Sequence, residues 1–327
     1  MTTQLAPPPS PPGVRPSPLT AFAALVVFSF WRQWRIRQMG WVALGLLALL
    51  TVTVALISHG PRGWGLENRY TWRYRTTYRD FHQQLDQLQS VPLPSNSTSM
   101  QLAATAPFRA IMADEIYLAD WAFLNFSRWT VFTMYLGFLL PLFTLAYASG
   151  AFGSEREGRT LIWLHTRPLP RWAVYLAKFL GVLPWCLAAS VGGFAVLCLA
   201  GGELGLRALQ AYWPAAVGGT VGFAALFHLV GAVFRRPAVV GLVYAFFFET
   251  LVANLPGSLK ELSLNFYTRS LLYNEATAEV TTVTPGSLDV YAPAGPVTAW
   301  TTLLLATVAL TLLGMYLAGK QEPRDET

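Results

Sequence analysis

The chain has 327 residues, 54% of them hydrophobic and only 12% charged, about half the charged fraction of an ordinary soluble domain. Its formal charge of +6 would suit a nucleic-acid partner, but most of the excess is arginine beside apolar blocks, where it acts as a membrane orientation signal. Composition therefore argues against nucleic acid as a partner and for an all-α, polytopic membrane protein in contact with a lipid bilayer.

Residues 1–19 include Pro7, Pro8, Pro9, Pro11 and Pro12. Such a stretch cannot bury a core and reads as a disordered tail. Residues 20–40 follow, with an apolar run from Thr20 to Trp31 and then Arg32, Arg35 and Arg37. The run is too short to span and its basic residues come after it, so an amphipathic helix lying at the cytoplasmic leaflet is expected.

Six spans are expected in residues 41–320: Trp41–Ile57, Trp129–Ala148, Phe179–Ala200, Ala215–Phe234, Ala238–Leu255 and Val297–Leu317. Each matches a ~30 Å hydrocarbon core at 1.5 Å per residue. With both termini inside, the cytoplasmic segments collect Arg15, Arg32, Arg35, Arg37, Arg156, Arg159, Arg167, Arg171, Lys178, Arg235, Arg236, Lys320 and Arg324, whereas the short outer loops hold Arg207, Lys260 and Arg269. That asymmetry sets the expected orientation. Residues 321–327 are then a cytoplasmic tail. Cys186 and Cys198, twelve helical positions apart, are separated by roughly 18 Å and cannot pair.

The outer loop 58–128 is long enough to fold at the membrane surface. Its alternating segment Arg69–Arg75 reads as extended, and Tyr78, Phe81, Leu85 and Leu88 recur at helical spacing before Pro92. A further helix is expected to run from about Phe108 into the second span. Asn96-Ser97-Thr98 and Asn125-Phe126-Ser127 match a glycosylation tripeptide that is common by chance and receive no role.

The most informative stretch is the inner loop 149–178. Ser154 with Glu157 three residues on forms a capping box, so a helix should begin there, with Glu155 and Glu157 at its positive dipole end. Pro168 disfavours helical geometry at Arg167 and stops it after about three turns. A short charged helix held between two spans can transmit a push from a partner.

Glu155-Arg156-Glu157, Thr160-Leu161, Pro168, Arg171 and Lys178 resemble, in order and spacing, the inner loop of the permeases of ABC exporters of the second type. There a glutamate-rich start is followed by Gly-Thr-Leu, Pro-x-x-Arg and a later Lys. Here Arg159 stands directly before the threonine and the glycine, Gly158, lies one position earlier. Phe248-Glu249, then Leu255-Pro256-Gly257-Ser258-Leu259 and Leu262-Ser263, extend the likeness to the fifth span. The resemblance implies a permease subunit that pairs with a second permease subunit, as a homodimer or heterodimer, in the plasma membrane. It also implies a separate ABC ATPase docked on Glu155, Arg156, Glu157, Thr160, Leu161, Pro168 and Arg171. No Gly-x4-Gly-Lys-Ser/Thr phosphate loop occurs in the sequence, so nucleotide binding would belong to that partner. No cofactor, metal or catalytic residue is expected.

Two ionisable residues lie inside spans, where they default to a functional hypothesis. Glu249 in the fifth reads either as such a group or as the head of a broken segment bonded to backbone amides near Pro256 and Gly257. His228 in the fourth reads as a packed, hydrogen-bonded residue ahead of a proton relay. Gly218, Gly219 and Gly222 permit close helix approach. The rivals are an ATP-independent secondary transporter and an intramembrane enzyme. The first would show more paired intramembrane charges. The second lacks a nucleophile–base pair, because Tyr147-Ala148-Ser149-Gly150 misses the first glycine of Gly-x-Ser-Gly.

Overall fold

The computed structural model describes residues 17–33, 38–60, 64, 119–151, 169–249, 258–280, 288, 290 and 292–320. Among these residues there is no strand, and the chain runs through α1 (Pro18–Arg32), α2 (Gln38–His59), α3 (Ala119–Ser149), α4 (Arg171–Ala200), α5 (Gly202–Val233), α6 (Pro237–Glu249), α7 (Leu264–Glu279) and α8 (Pro296–Lys320). Five of these, α2, α3, α4, α5 and α8, are long and apolar enough to cross a membrane. The protein is an all-α polytopic membrane protein.

The expected spans are all helical where they are described, but their ends differ. α3 begins ten residues before Trp129, α4 eight before Phe179 and α5 thirteen before Ala215. Hydropathy marks only the apolar part of a helix, and backbone hydrogen bonding continues into its polar ends, here Asp120, Arg171, Glu203 and Arg207. Arg207 and Arg269, expected in short loops, therefore sit on α5 and α7, and Lys260 on a 3₁₀ turn over Ser258–Leu262.

The expected fifth span departs most. α6 has seven α-helical residues and then six with wider π winding, about 20 Å in all at 1.5 Å per residue and short of the ~30 Å core. After residues 250–257, which lie outside the described residues, the chain re-enters helix as α7. The tail 1–16, the surface segment 69–94, Asn96-Ser97-Thr98, Leu255-Pro256-Gly257 and the tail 321–327 also lie outside them.

The short N-terminal helix is capped by Ser17, whose Oγ accepts from the Thr20 amide at 3.3 Å. It leans on α4 at Gly181, where an added Cβ would lie 2.7 Å from Ser29 Cβ and 2.9 Å from Val26 O. Trp185 Nε1 donates to Phe30 O at 3.0 Å. Leu25 and Ser29 face inward, while Val27, Phe28 and Trp31 are exposed.

The core lies where α3, α4 and α5 meet. Ser127–Leu139 of α3 is π-wound, with Leu140 N bonding five residues back to Tyr135 O, ahead of Pro141. Tyr135, Phe143, Phe194, Phe223 and Phe227 fill the centre. Three hydroxyls from three helices join there: Tyr135 and Ser190 at 3.0 Å, and Thr220 to Ser190 at 2.9 Å. In an apolar interior such bonds each contribute about 0.6–2 kcal/mol. The three glycines behave as their spacing predicts. Gly218 receives Trp300 of α8, Gly219 receives Thr268 of α7, and Gly222 faces Leu303. α2 and α8 remain largely exposed on their apolar faces.

At the end of α3 away from Ser149, Asn125 Nδ2 donates to Trp64 O at 3.0 Å, and Ser127 Oγ meets Tyr212 Oη at 3.0 Å. The second glycosylation tripeptide is thus helical and committed to packing.

Candidate functional site

Of the seven residues expected to seat an ATPase, Glu155, Arg156, Glu157, Thr160, Leu161 and Pro168 lie outside the described residues. Arg171 opens α4, after Pro170 has turned the chain in an extended conformation (φ −64°, ψ 143°). The structure describes the two ends of that connection, and both bear on α5.

The first end is Ser149, whose Oγ donates back to Leu145 O at 2.6 Å. Gly231 of α5 packs on it so tightly that an added Cβ would lie 2.8 Å from Ser149 O and 3.1 Å from its Cα. The second end is the opening turns of α4. There the edge of the Tyr175 ring meets His228 with centroids 4.6 Å apart, and Phe179 lies 5.4 Å from the same imidazole. His228 Nε2 donates to Tyr175 O at 3.3 Å. Lys178, from the same stretch, is 2% exposed. His228 and Gly231 are three residues apart, so they share one face of one helical turn. The two described ends of the connection, Ser149 and Tyr175, therefore both contact α5 at that turn. His228 stood out in the sequence as an ionisable residue inside an apolar span; Gly231 carried no such signal.

Glu249 sits twelve residues beyond Pro237, about 18 Å along the helix, and is 1% exposed. Its Oε1 accepts from Tyr244 Oη at 2.8 Å and Leu264 N at 3.3 Å. Its Oε2 accepts from Asn265 N at 2.9 Å and from Ser263 Oγ. A carboxylate has about four acceptor positions, and four donors fill them here. Glu249 therefore supplies acceptors for the first-turn amides of α7, while Ser263 caps Phe266 N at 3.2 Å. Among the described residues the bonded amides are those of Leu264 and Asn265, while Pro256 and Gly257 lie outside them. A negative charge at a helix N-terminus is also favoured by the helix dipole.

The other end of α7 has the complementary arrangement. Arg207 of α5 donates through Nε to Glu279 Oε1 and through Nη2 to Glu279 O, both at 2.7 Å. Nη2 also reaches Asp120 Oδ1 of α3 at 3.3 Å, and the guanidinium lies 4.6 Å over the Phe123 ring. α7 is thus held by an anion at its positive end and a cation at its negative end, each brought from another element. Sequence reading missed Arg207, since a lone arginine after an apolar block looks like an ordinary loop charge.

Among the described residues no group of three or more His, Cys, Asp or Glu side chains is arranged to hold a metal. The described site thus comprises a connection whose two ends contact α5 and a helix, α7, bonded at both ends by side chains from other elements.

Residues 97–252 match the family model described as "ABC-2 family transporter protein". The matched range takes in α3, the 152–168 segment, α4, α5 and α6 with Glu249. No curated protein matches the chain.

Proposed function

From a chain that carries an ABC-2 family transporter domain over residues 97–252, we propose the permease subunit of an ATP-driven exporter. The coarser part of that reading, a membrane permease of an ABC transporter, follows from the family match together with the five apolar spans. The finer part is our inference. The permease works as a dimer in the plasma membrane, with both termini cytoplasmic. Residues 41–320 form the permease domain and 20–40 rest at the cytoplasmic leaflet. A separate ATPase docks on the helix that the Ser154–Glu157 capping box begins, in contact with Glu155, Arg156, Glu157, Thr160, Leu161, Pro168 and Arg171.

One observation carries the docking site. The connection between α3 and α4 is the segment with the family's residue pattern, and its two ends converge on the His228–Gly231 turn of α5. A push delivered to that segment is received by a packed helix and not dissipated in a loop. The sequence holds no phosphate loop, so ATP binding and hydrolysis belong to the partner. Glu249 and His228 serve in this reading as fixed points, the first joining α6 to α7 and the second joining α4 to α5. Outward transport rests on the resemblance.

The test is purification from native membranes under mild detergent. The reading expects an ATP-hydrolysing polypeptide to accompany the chain in stoichiometric amount. A chain that moves its substrate in sealed vesicles on a proton gradient, with no ATP and no companion, contradicts it.

A further inference from the structure

α8 is the least embedded of the described spans: of its 25 residues only Ala299, Leu303 and Gly314 are buried. The first two lie in its opening half, where Trp300 faces Gly218 and Leu303 faces Gly222 of α5. In the second half Leu310 is partly buried against the core, and Gly314 is the one fully buried residue. What it meets there is Tyr175. A Cβ at position 314 would overlap Cζ and Oη of that ring, so only glycine allows the α8 backbone to come this close. Tyr175 is itself 1% exposed and lies one turn after Arg171, at the point where the 152–168 segment has just become α4. Its ring edge and its carbonyl both engage His228 of α5.

One rigid side chain therefore touches α5 and α8 at once, and it stands at the exit of the segment that the proposed function assigns to the ATPase. We propose that Tyr175 is the positioning residue that passes displacement of this segment to the cytoplasmic half of α8. The proposal rests on the permease reading and adds how that loop's movement spreads. An aromatic ring has two side-chain torsions and no soft internal bond, and close-packed interiors transmit displacement instead of absorbing it. When the first turn of α4 moves toward α8, the Gly314 backbone has to move with it. The neighbouring α8 side chains Leu312 and Leu313 are 57% and 45% exposed. The opening half of α8, held on α5 by Trp300 and Leu303, then acts as the pivot.

The test uses the complex of the full chain with its copurified ATPase in lipid nanodiscs. Spin labels at Leu313→Cys on α8 and Leu49→Cys on α2 report their separation with and without MgATP. The unmodified Tyr175 background is expected to show a nucleotide-dependent shift. Tyr175→Phe, which keeps the ring, should retain the shift. Tyr175→Leu should lose it while ATP hydrolysis and complex formation persist, a split that a merely structural role would not produce. If Tyr175→Leu fails to assemble, Tyr175→Met supplies a flexible side chain of similar reach and should likewise lose the shift. A full shift in whichever variant assembles overturns the role of Tyr175. Absence of any shift in the Tyr175 background, with ATP being hydrolysed, overturns the permease reading and this inference with it.

Discussion

Glu249 and Asn265, sixteen residues apart in the chain, meet as carboxylate and backbone amide at 2.9 Å. That bond closes the break between α6 and α7, and it sets the first expectation. Glu249→Leu removes the acceptor for Leu264 N, Asn265 N, Ser263 Oγ and Tyr244 Oη. Each buried group left without a partner costs about 1–3 kcal/mol, so the leucine variant should lose several kcal/mol. Glu249→Gln keeps one acceptor oxygen and should lose less. Thermal unfolding in detergent, followed by size exclusion, ranks the variants. Equal midpoints for leucine and glutamine would remove the capping role.

Gly231→Ala should destabilise by about 1–3 kcal/mol, the usual range for overpacking, because the new Cβ meets the Ser149 backbone and not a movable side chain. Gly192 is the control. Nothing lies within 4 Å of a Cβ built there, so Gly192→Ala in α4 should be neutral or gain up to about 1 kcal/mol from helix propensity. The same thermal assay compares them, and a harmless Gly231→Ala would dissolve the seat between α3 and α5.

The contrast between these two glycines marks what was legible in the sequence. Apolar blocks located the five helices long enough to cross a membrane, whereas the expected fifth span is a shorter apolar helix where it is described, and the capping box with Arg167-Pro168 lies outside the described residues. The three glycines Gly218, Gly219 and Gly222 were readable because they cluster on one helix. Gly231, Gly314 and Gly181 were not, since each answers to a residue on a distant helix that no local pattern reveals. Glu249 stood out as a carboxylate in an apolar run. Three of its four partners, fourteen to sixteen residues later, depend on a chain reversal that hydropathy averages away. Helix ends were misplaced for the same reason, because Asp120 and Arg207 lower local hydropathy without ending the helix.

Arg207→Gln should cost about 1 kcal/mol or less, since the Arg207 and Glu279 side chains of this pair are 30% and 40% exposed and exposed ion pairs contribute little. Added salt should shrink the difference from the unmodified chain. A cost several times larger, insensitive to salt, would mean that the pairing with the buried Asp120, the bond to Glu279 O and the contact with Phe123 dominate.

Orientation follows from single cysteines at Ser97 and Arg159. An impermeant thiol reagent on intact cells should label Ser97→Cys, and should reach Arg159→Cys only after permeabilisation. Cys186 and Cys198 are buried and should add little background. Labelling of Arg159→Cys from outside would invert the topology and move the docking segment to the wrong face.

The central claim is that an ATPase seats on residues 154–167, and charge reversal at Glu155 and Glu157 tests it most directly. Quantitative copurification of the ATPase with the unmodified chain and with Glu155→Lys/Glu157→Lys should show loss of the complex. Membrane insertion and the thermal midpoint of the permease should stay unchanged, because these side chains are expected at a solvated helix N-terminus. Full recovery of the ATPase, with unaltered ATP hydrolysis, on a correctly inserted double variant would contradict the account.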